Sequence, residues 1–279
     1  VTYARTALFL FLLLAARAEA AETWDDVWKG LANSFALPTE QELNKVEEEG
    51  LLARQWQVDT GLMAVQSNDG NYVPAGKATL QFMPLGCWFA EASFFYYREG
   101  RGQNAWSPDF IYRFGCGDGR PYALSLIYNN YASNRSSSDL ADKYNQGTYT
   151  LSWNLPVPDS VAQPFLLETD KKIGCKLNLL YSPRYFNEAG ELKHDKTRLS
   201  LGFDAPVYGG WYLSFNLFYY LDGGPPQPWH PDYIYEVGWR YEQVSIAWKN
   251  DGGNRFPWRS DLPHDSSFTD GNIEISWHW

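Results

Sequence analysis

Charged side chains interrupt apolar runs along most of this 279-residue chain, and their placement follows a rule. Asp59, Glu91, Arg113, Lys172, Lys176, Arg198, Asp204, Glu236, Arg240, Lys249 and Glu274 lie in or beside segments in which apolar and polar residues alternate. Read at a period of two, these charges fall on one face of extended segments, and the aliphatic and aromatic residues fall on the other. A face of that kind lines water or a network of ion pairs. Arg113 and Glu236 occupy the same place in a motif that occurs twice. Opposite charges on opposite walls of a lumen would set a transverse field that orients dipolar solutes and filters ions. The same charges would equally fill a narrow interior with salt bridges and close it, and the sequence leaves both outcomes open.

Covalent chemistry needs a hydroxyl or thiol beside a base. Ser133 lies in Tyr128-Asn129-Asn130-Tyr131-Ala132-Ser133-Asn134-Arg135. That stretch faintly resembles the active-strand region of the outer-membrane phospholipase A family. The family places a histidine shortly before its nucleophilic serine, on the same strand face. Here Tyr131 stands in that place, so the resemblance leaves Ser133 without an activating base. His264 and Ser266 have a suitable spacing but fall in a long loop before the last strand. His230 and Ser107 sit at equivalent repeat positions, hence on opposite rims, too far apart for proton transfer. A lipid-modifying enzyme of phospholipase or deacylase type is therefore an alternative reading. With four scattered histidines and no paired cysteine motif, no metal site and no cofactor is expected.

Asn130, Asn134 and Arg135 return as Asn250, Asn254 and Arg255, where strands leave for long loops. Asparagine and arginine there either bind sugars or lipopolysaccharide phosphates, arginine through its bidentate fork, or cap the loops.

The elements that position these residues come from the repetition. Trp106-Ser107-Pro108-Asp109-Phe110-Ile111-Tyr112 returns as Trp229-His230-Pro231-Asp232-Tyr233-Ile234-Tyr235, an offset of 229 − 106 = 123 residues. Phe95-Tyr96-Tyr97 matches Phe218-Tyr219-Tyr220, and Ser152-Trp153 matches Ser276-Trp277. A period that long marks a duplicated half-domain rather than a solenoid, whose repeats run about 20–50 residues. Alternation predicts twelve strands: 56–66, 75–83, 88–97, 109–116, 121–131, 147–156, 171–182, 196–205, 210–221, 231–241, 243–249 and 271–279. Leu213, Phe215, Leu217, Ile273, Ile275 and Trp277 are expected on one face; Ser214, Asn216, Glu274 and Ser276 on the other. The connections alternate between short turns and long polar loops, with 157–170 the one long connection on the short side.

A soluble sandwich also alternates. Strands of about 9–11 residues with Trp and Tyr crowded at their ends instead fit a barrel that crosses a membrane, apolar side outward. In its strand count, alternating loop lengths and terminal aromatic Trp279, the chain resembles bacterial outer-membrane β-barrels as a class. The fold expected is therefore all-β, a transmembrane antiparallel β-barrel of about twelve strands over 56–279, built from repeat one (about 56–156) and repeat two (about 171–279). Residues 1–20 read as a signal peptide: Arg5, an apolar run over 7–16, then Ala18-Glu19-Ala20. Residues 21–55 form a periplasmic segment, with Thr39 and Glu42 as a capping box opening a helix that ends near Gly50; docking and plugging are both open to it.

Composition narrows the function. The formal charge of −10 disfavours nucleic acid. An aromatic content of 17% beside a mean hydropathy of −0.44 fits strands with a polar lumen and excludes a bundle of membrane helices. Cys87 and Cys116 should lie at one rim, although their facing parity disagrees unless a bulge intervenes; Cys175 falls on an outward position. The leading expectation is a narrow, porin-like passive channel for small polar solutes in the outer membrane of a Gram-negative bacterium. Its pore-lining residues would be Arg113, Glu236, Arg240, Arg198, Lys176, Asp204 and Glu91; its partners, outer-membrane lipid and lipopolysaccharide, and the barrel-insertion machinery acting on the strand that ends at Trp279. A structural or secretion-associated barrel is the further alternative.

Overall fold

Alternating residues here build strands that close on themselves. The computed structural model describes residues 24–35, 38–49, 55–66, 71–98, 108–130, 146–168, 171–186, 191–221, 230–250, 252–256 and 271–279. Within them, twelve antiparallel strands follow one another around a closed barrel in chain order. They are β1 (Gln55–Gln66), β2 (Tyr72–Leu85), β3 (Trp88–Tyr97), β4 (Phe110–Cys116), β5 (Leu124–Asn130) and β6 (Thr148–Pro156). The second half holds β7 (Gly174–Phe186), β8 (Leu192–Tyr208), β9 (Trp211–Tyr220), β10 (Tyr233–Tyr241), β11 (Val244–Asn250) and β12 (Asn272–His278). β12 pairs with β1, setting His278 opposite Asp59 and Ile275 opposite Leu62, so no open edge is left to recruit another chain.

The pleat is turned inside out relative to a water-soluble protein. On β12, Ile273 is 42% exposed while its neighbour Glu274 is 6% exposed. Leu62, Leu80, Phe94, Leu126, Leu151, Leu213, Val237 and Ile246 likewise project from the outside. Inside, Thr79 and Ser93 share a hydrogen bond of 2.7 Å, and Asn178 donates to Ser200 at 2.9 Å. An exterior of this kind suits hydrocarbon, and the closed ladder of the described strands leaves no unpaired sheet edge to be satisfied by water.

Several strand boundaries differ from expectation, among them those of β2, β5, β7, β8 and β10. β5 begins at Leu124 rather than residue 121, because Tyr122 adopts a left-handed φ of 60° and its N–H donates to the Asn154 carbonyl. β7 begins at Gly174, so Lys172 is not on the barrel wall. The β7–β8 hairpin runs on to Phe186 and back from Leu192, past the expected 182 and 196; Lys193 and His194 continue the ladder there although they are too polar to read as membrane strands, and the register skips Asp195, at a left-handed φ of 59°.

The two motif copies open onto β4 and β10 and make matching bonds. Tyr97 donates its hydroxyl to the Pro108 carbonyl at 3.2 Å, and Tyr220 donates to Pro231 at 2.8 Å. Phe95 N–H reaches the Asp109 carbonyl at 2.8 Å, as Phe218 N–H reaches Asp232 at 2.9 Å. Trp106 and Trp229 themselves lie outside the described residues, as does the segment 1–20.

Cys87 and Cys116 form a disulfide. The parity objection dissolves because Cys87 belongs to the turn after Gly86, at φ 55°, and not to a strand. Cys175 is a free, buried thiol on β7, set between Leu155 and Phe203 of the neighbouring strands.

Two helices precede the barrel. α1 (Trp24–Ala32) was not foreseen as a helix; α2 (Glu40–Glu49) starts on the reciprocal Thr39–Glu42 cap, with Thr39 N–H on Glu42 at 2.8 Å and Glu42 N–H on Thr39 at 3.3 Å. α1 rests on the turn between β4 and β5. Gly30 lies where a Cβ would meet Tyr122 Cβ at 2.6 Å, and Ser34 accepts the Leu124 N–H at 2.7 Å. Arg120 donates to the Asn33 carbonyl at 3.0 Å, and the same guanidinium, hydrogen-bonded to Asp118, holds that carboxyl below its ordinary pKa. The connection 157–170 holds a short helix, α3 (Asp159–Ala162), followed by a 3-10 turn (Gln163–Phe165).

Candidate functional site

Inward-facing residues of eight neighbouring strands, β9 to β12 and β1 to β4, wall one internal cavity of about 310 Å³. Its ionic lining comprises Asp59, Glu91, Glu236 and Glu274 against Lys77, Arg113, Arg240 and Lys249, so four acidic groups meet four basic ones. On the remaining arc, β5 to β8, the buried groups include Ser125, Thr150, Ser152, Asn154 and Ser200, and the charged Lys176, Arg198 and Asp204 do not line this cavity.

The charges are held by neighbours on adjoining strands. Arg113 grips Glu91 through two parallel bonds, Nε to Oε1 at 2.8 Å and Nη2 to Oε2 at 2.7 Å, since β3 and β4 set the two residues directly opposite. A planar guanidinium on a carboxylate is the strongest form of such a pair. Glu274 lies between two ammonium groups, Lys249 at 2.7 Å and Lys77 at 3.1 Å, and accepts the Ser276 hydroxyl at 2.8 Å. Lys249 also stands 3.7 Å from Glu236, which accepts the Tyr212 hydroxyl at 2.5 Å. Gly238 makes room for that tyrosine: a Cβ there would lie 2.5 Å from the ring. Arg240 stacks over the same ring at 5.5 Å.

A chain of hydrogen bonds runs along the same lining. Asp59 accepts from His278 Nδ1 at 2.8 Å, and Ser245 Oγ lies 3.1 Å from His278 Nε2. The three residues come from β1, β12 and β11. Sequence reasoning puts Asp59 on the lumen face but does not single out Ser245, Tyr212 or Lys77. Strand parity alone would have supplied Lys77, two residues from Thr79 and two from Ala75 on β2.

Of the residues expected to line a pore, the cavity gathers Arg113, Glu236, Arg240 and Glu91. Lys176, Arg198 and Asp204 stand apart from it on β7 and β8; Asp204 accepts the Ser214 hydroxyl at 2.6 Å, and Arg198 lies over the Phe218 ring at 5.8 Å. On β9 and β12 the inward side carries Ser214, Asn216, Glu274 and Ser276, and the outward side Leu213 and Ile273.

At the long-loop end of β8 and β9 a second polar group forms. Lys196 Nζ is 2.7 Å from His230 Nδ1 and lies over Tyr185 and Tyr220 at 4.9 and 5.6 Å. Burial, and then the nearby charges of Lys196, Arg198 and Arg255, push the His230 imidazole down to about 2, so it is neutral in water near pH 7. Asn254 and Arg255 are buried. Asn254 donates to the Tyr233 carbonyl at 3.0 Å and to Asn250 Oδ1, while Arg255 reaches the His230 carbonyl and stands 3.9 Å from the buried Asp232. These bonds fold the segment after β11 over the end of β10. In the first copy Asn130, fully buried like Asn250, donates to the Tyr112 hydroxyl at 3.1 Å. Asn134, Arg135, Ser133, His264 and Ser266 lie outside the described residues, and among the described residues no cluster suits a metal ion.

No family model matches the chain, and no curated protein matches it. Among solved structures it is similar to the NanC porin in a rhombohedral crystal form, at 9% identity and a TM-score of 0.37, covering 80% of this chain and 98% of that one.

Proposed function

We propose that this chain is an outer-membrane β-barrel of a Gram-negative bacterium and works as a narrow passive channel for small polar solutes. The observation that carries the reading is a cavity walled by acidic and basic groups in equal number, enclosed by a barrel whose outside is apolar. Polar solutes lose water on entering a narrow lumen, and fixed charges of both signs replace part of that hydration. Because the opposing charges balance, the channel discriminates weakly between small ions and excludes chiefly by size. In this reading residues 1–20 direct export, the strand ending at Trp279 engages the insertion machinery, and the two six-strand halves descend from one duplicated unit. Long loops face the outside, where Asn134 and Arg135 lie near lipopolysaccharide; Asn254 and Arg255, buried and bonded to Tyr233, Asn250, His230 and Asp232, cap their loop instead.

Membrane placement is tested by single cysteines in a Cys175→Ala background, labelled with a membrane-impermeant thiol reagent. Substitutions at Ser214 and Ser276 react and those at Leu213 and Ile273 do not; the reverse pattern removes the lumen from the proposal.

A structural or secretion-associated barrel is the second reading. It is supported by α1, which rests on the β4–β5 turn and leaves Trp24 and Trp28 largely exposed, one helical turn apart. Deleting residues 21–55 distinguishes the two: a channel keeps its conductance, whereas a docking element loses its partner.

A further inference from the structure

We propose that Ser245, His278 and Asp59 form a nucleophilic centre inside the barrel that hydrolyses small polar carboxylic esters. The proposal needs the cavity but not conduction through it. Three observations carry it. First, the hydrogen bonds run in the order such chemistry requires. His278 Nδ1–H donates to Asp59 Oδ1 at 2.8 Å, which leaves the Nε2 lone pair directed at the Ser245 hydroxyl 3.1 Å away. That is within proton-transfer reach of a general base, with the carboxylate fixing the tautomer.

Second, the three groups are held by the barrel wall rather than by loops. Asp59 and His278 are direct cross-strand partners on β1 and β12, and Ser245 lies on β11 opposite Ser276. Backbone bonds on either side, His278 N–H to Gln243 at 2.8 Å and Trp279 N–H to Val58 at 2.9 Å, pin the histidine at the closing seam. Asp59 is further oriented by Gln57 Nε2 at 3.2 Å. Third, all three line the cavity of about 310 Å³, so a substrate has room beside the hydroxyl. Arg240, the cross-strand partner of Ser245, lines the same cavity and supplies positive charge where a carbonyl oxygen would become anionic.

In the reaction, Ser245 Oγ bonds to the ester carbonyl carbon as its proton passes to His278 Nε2. Collapse of the tetrahedral adduct breaks the bond to the alcohol, which leaves with that proton. Water then gives its proton to Nε2 and attacks the acyl carbon, and Ser245 Oγ departs with the proton restored. Ester and water yield acid and alcohol, with no change of oxidation state. The cavity selects a small substrate, and its charges select a polar one.

The test uses the refolded full chain in detergent and diisopropyl fluorophosphate, which reacts by forming an Oγ–phosphorus bond as fluoride leaves. Peptide mass spectrometry of the wild type is expected to find the adduct on Ser245. His278→Gln slows its formation by about 100-fold or more. Asp59→Asn lowers kcat for p-nitrophenyl acetate with KM unchanged, as expected of a positioning residue. Folded wild type with Ser245 unlabelled overturns the proposal, as does labelling at the same rate in folded His278→Gln. The wild-type result decides the matter even if a variant fails to fold. An absence of ionic current would defeat the channel reading and leave this one standing.

Discussion

Arg113 and Glu236 stand six strands apart in a closed order of twelve, on β4 and β10, and still line one cavity. Each is held by its own side of the barrel, Arg113 by Glu91 and Glu236 by Tyr212 and Lys249. The interior therefore carries local pairs whose sum is near zero rather than one unbalanced field.

Removing one member of a balanced set leaves the opposite sign in excess. Arg113→Gln leaves four carboxylates against three cations and is expected to shift permeability toward cations; Glu236→Gln leaves four cations against three carboxylates and shifts it toward anions. A unit charge acting at about 4 Å through water is worth about 1 kcal/mol, so the permeability ratio should move about fivefold. Reversal potentials across a salt gradient measure it.

Glu274 bears on stability more than on selectivity. It is 6% exposed and lies between Lys77 and Lys249, so Glu274→Ala leaves two ammonium groups facing each other without their shared anion. Breaking a buried pair of this kind costs about 3–5 kcal/mol. Urea unfolding in lipid vesicles should register that loss, whereas Lys193→Ala, at an exposed pair, should change little.

The disulfide ties the turn before β3 to the end of β4, across a sequence separation of 29. Closing a loop of that length restricts the unfolded chain by about 3–4 kcal/mol. Cys87→Ser with Cys116→Ser is expected to lower the unfolding temperature while keeping the barrel closed, because the β3–β4 ladder does not depend on it. Thermal unfolding of the oxidised, reduced and double-serine proteins checks the claim.

Much of this fold is legible in the chain because alternation is a local signal. Leu213, Ser214, Ile273 and Glu274 declare their faces from immediate neighbours alone. Thr39 and Glu42 mark the start of α2 in the same local way. α1 is harder to read, since its helix is stabilised by contact of Gly30 and Ser34 with a turn about 90 residues away. Register is the larger omission. Asp59 and His278 meet only because β12 closes on β1, a pairing of residues 219 apart. Ser245 joins them diagonally across a third strand, and no spacing within the sequence announces it. Serine and histidine close together in sequence, such as His264 and Ser266, are visible as a pair by that nearness, whereas Ser245 and His278 are brought together only by the barrel.

Single-channel conductance of the purified, refolded protein in a planar bilayer tests the central claim most directly. A water-filled, charge-balanced lumen predicts discrete conductance steps with weak selectivity between potassium and chloride. Protein that inserts as a folded barrel, and passes no current at any applied potential, would contradict it.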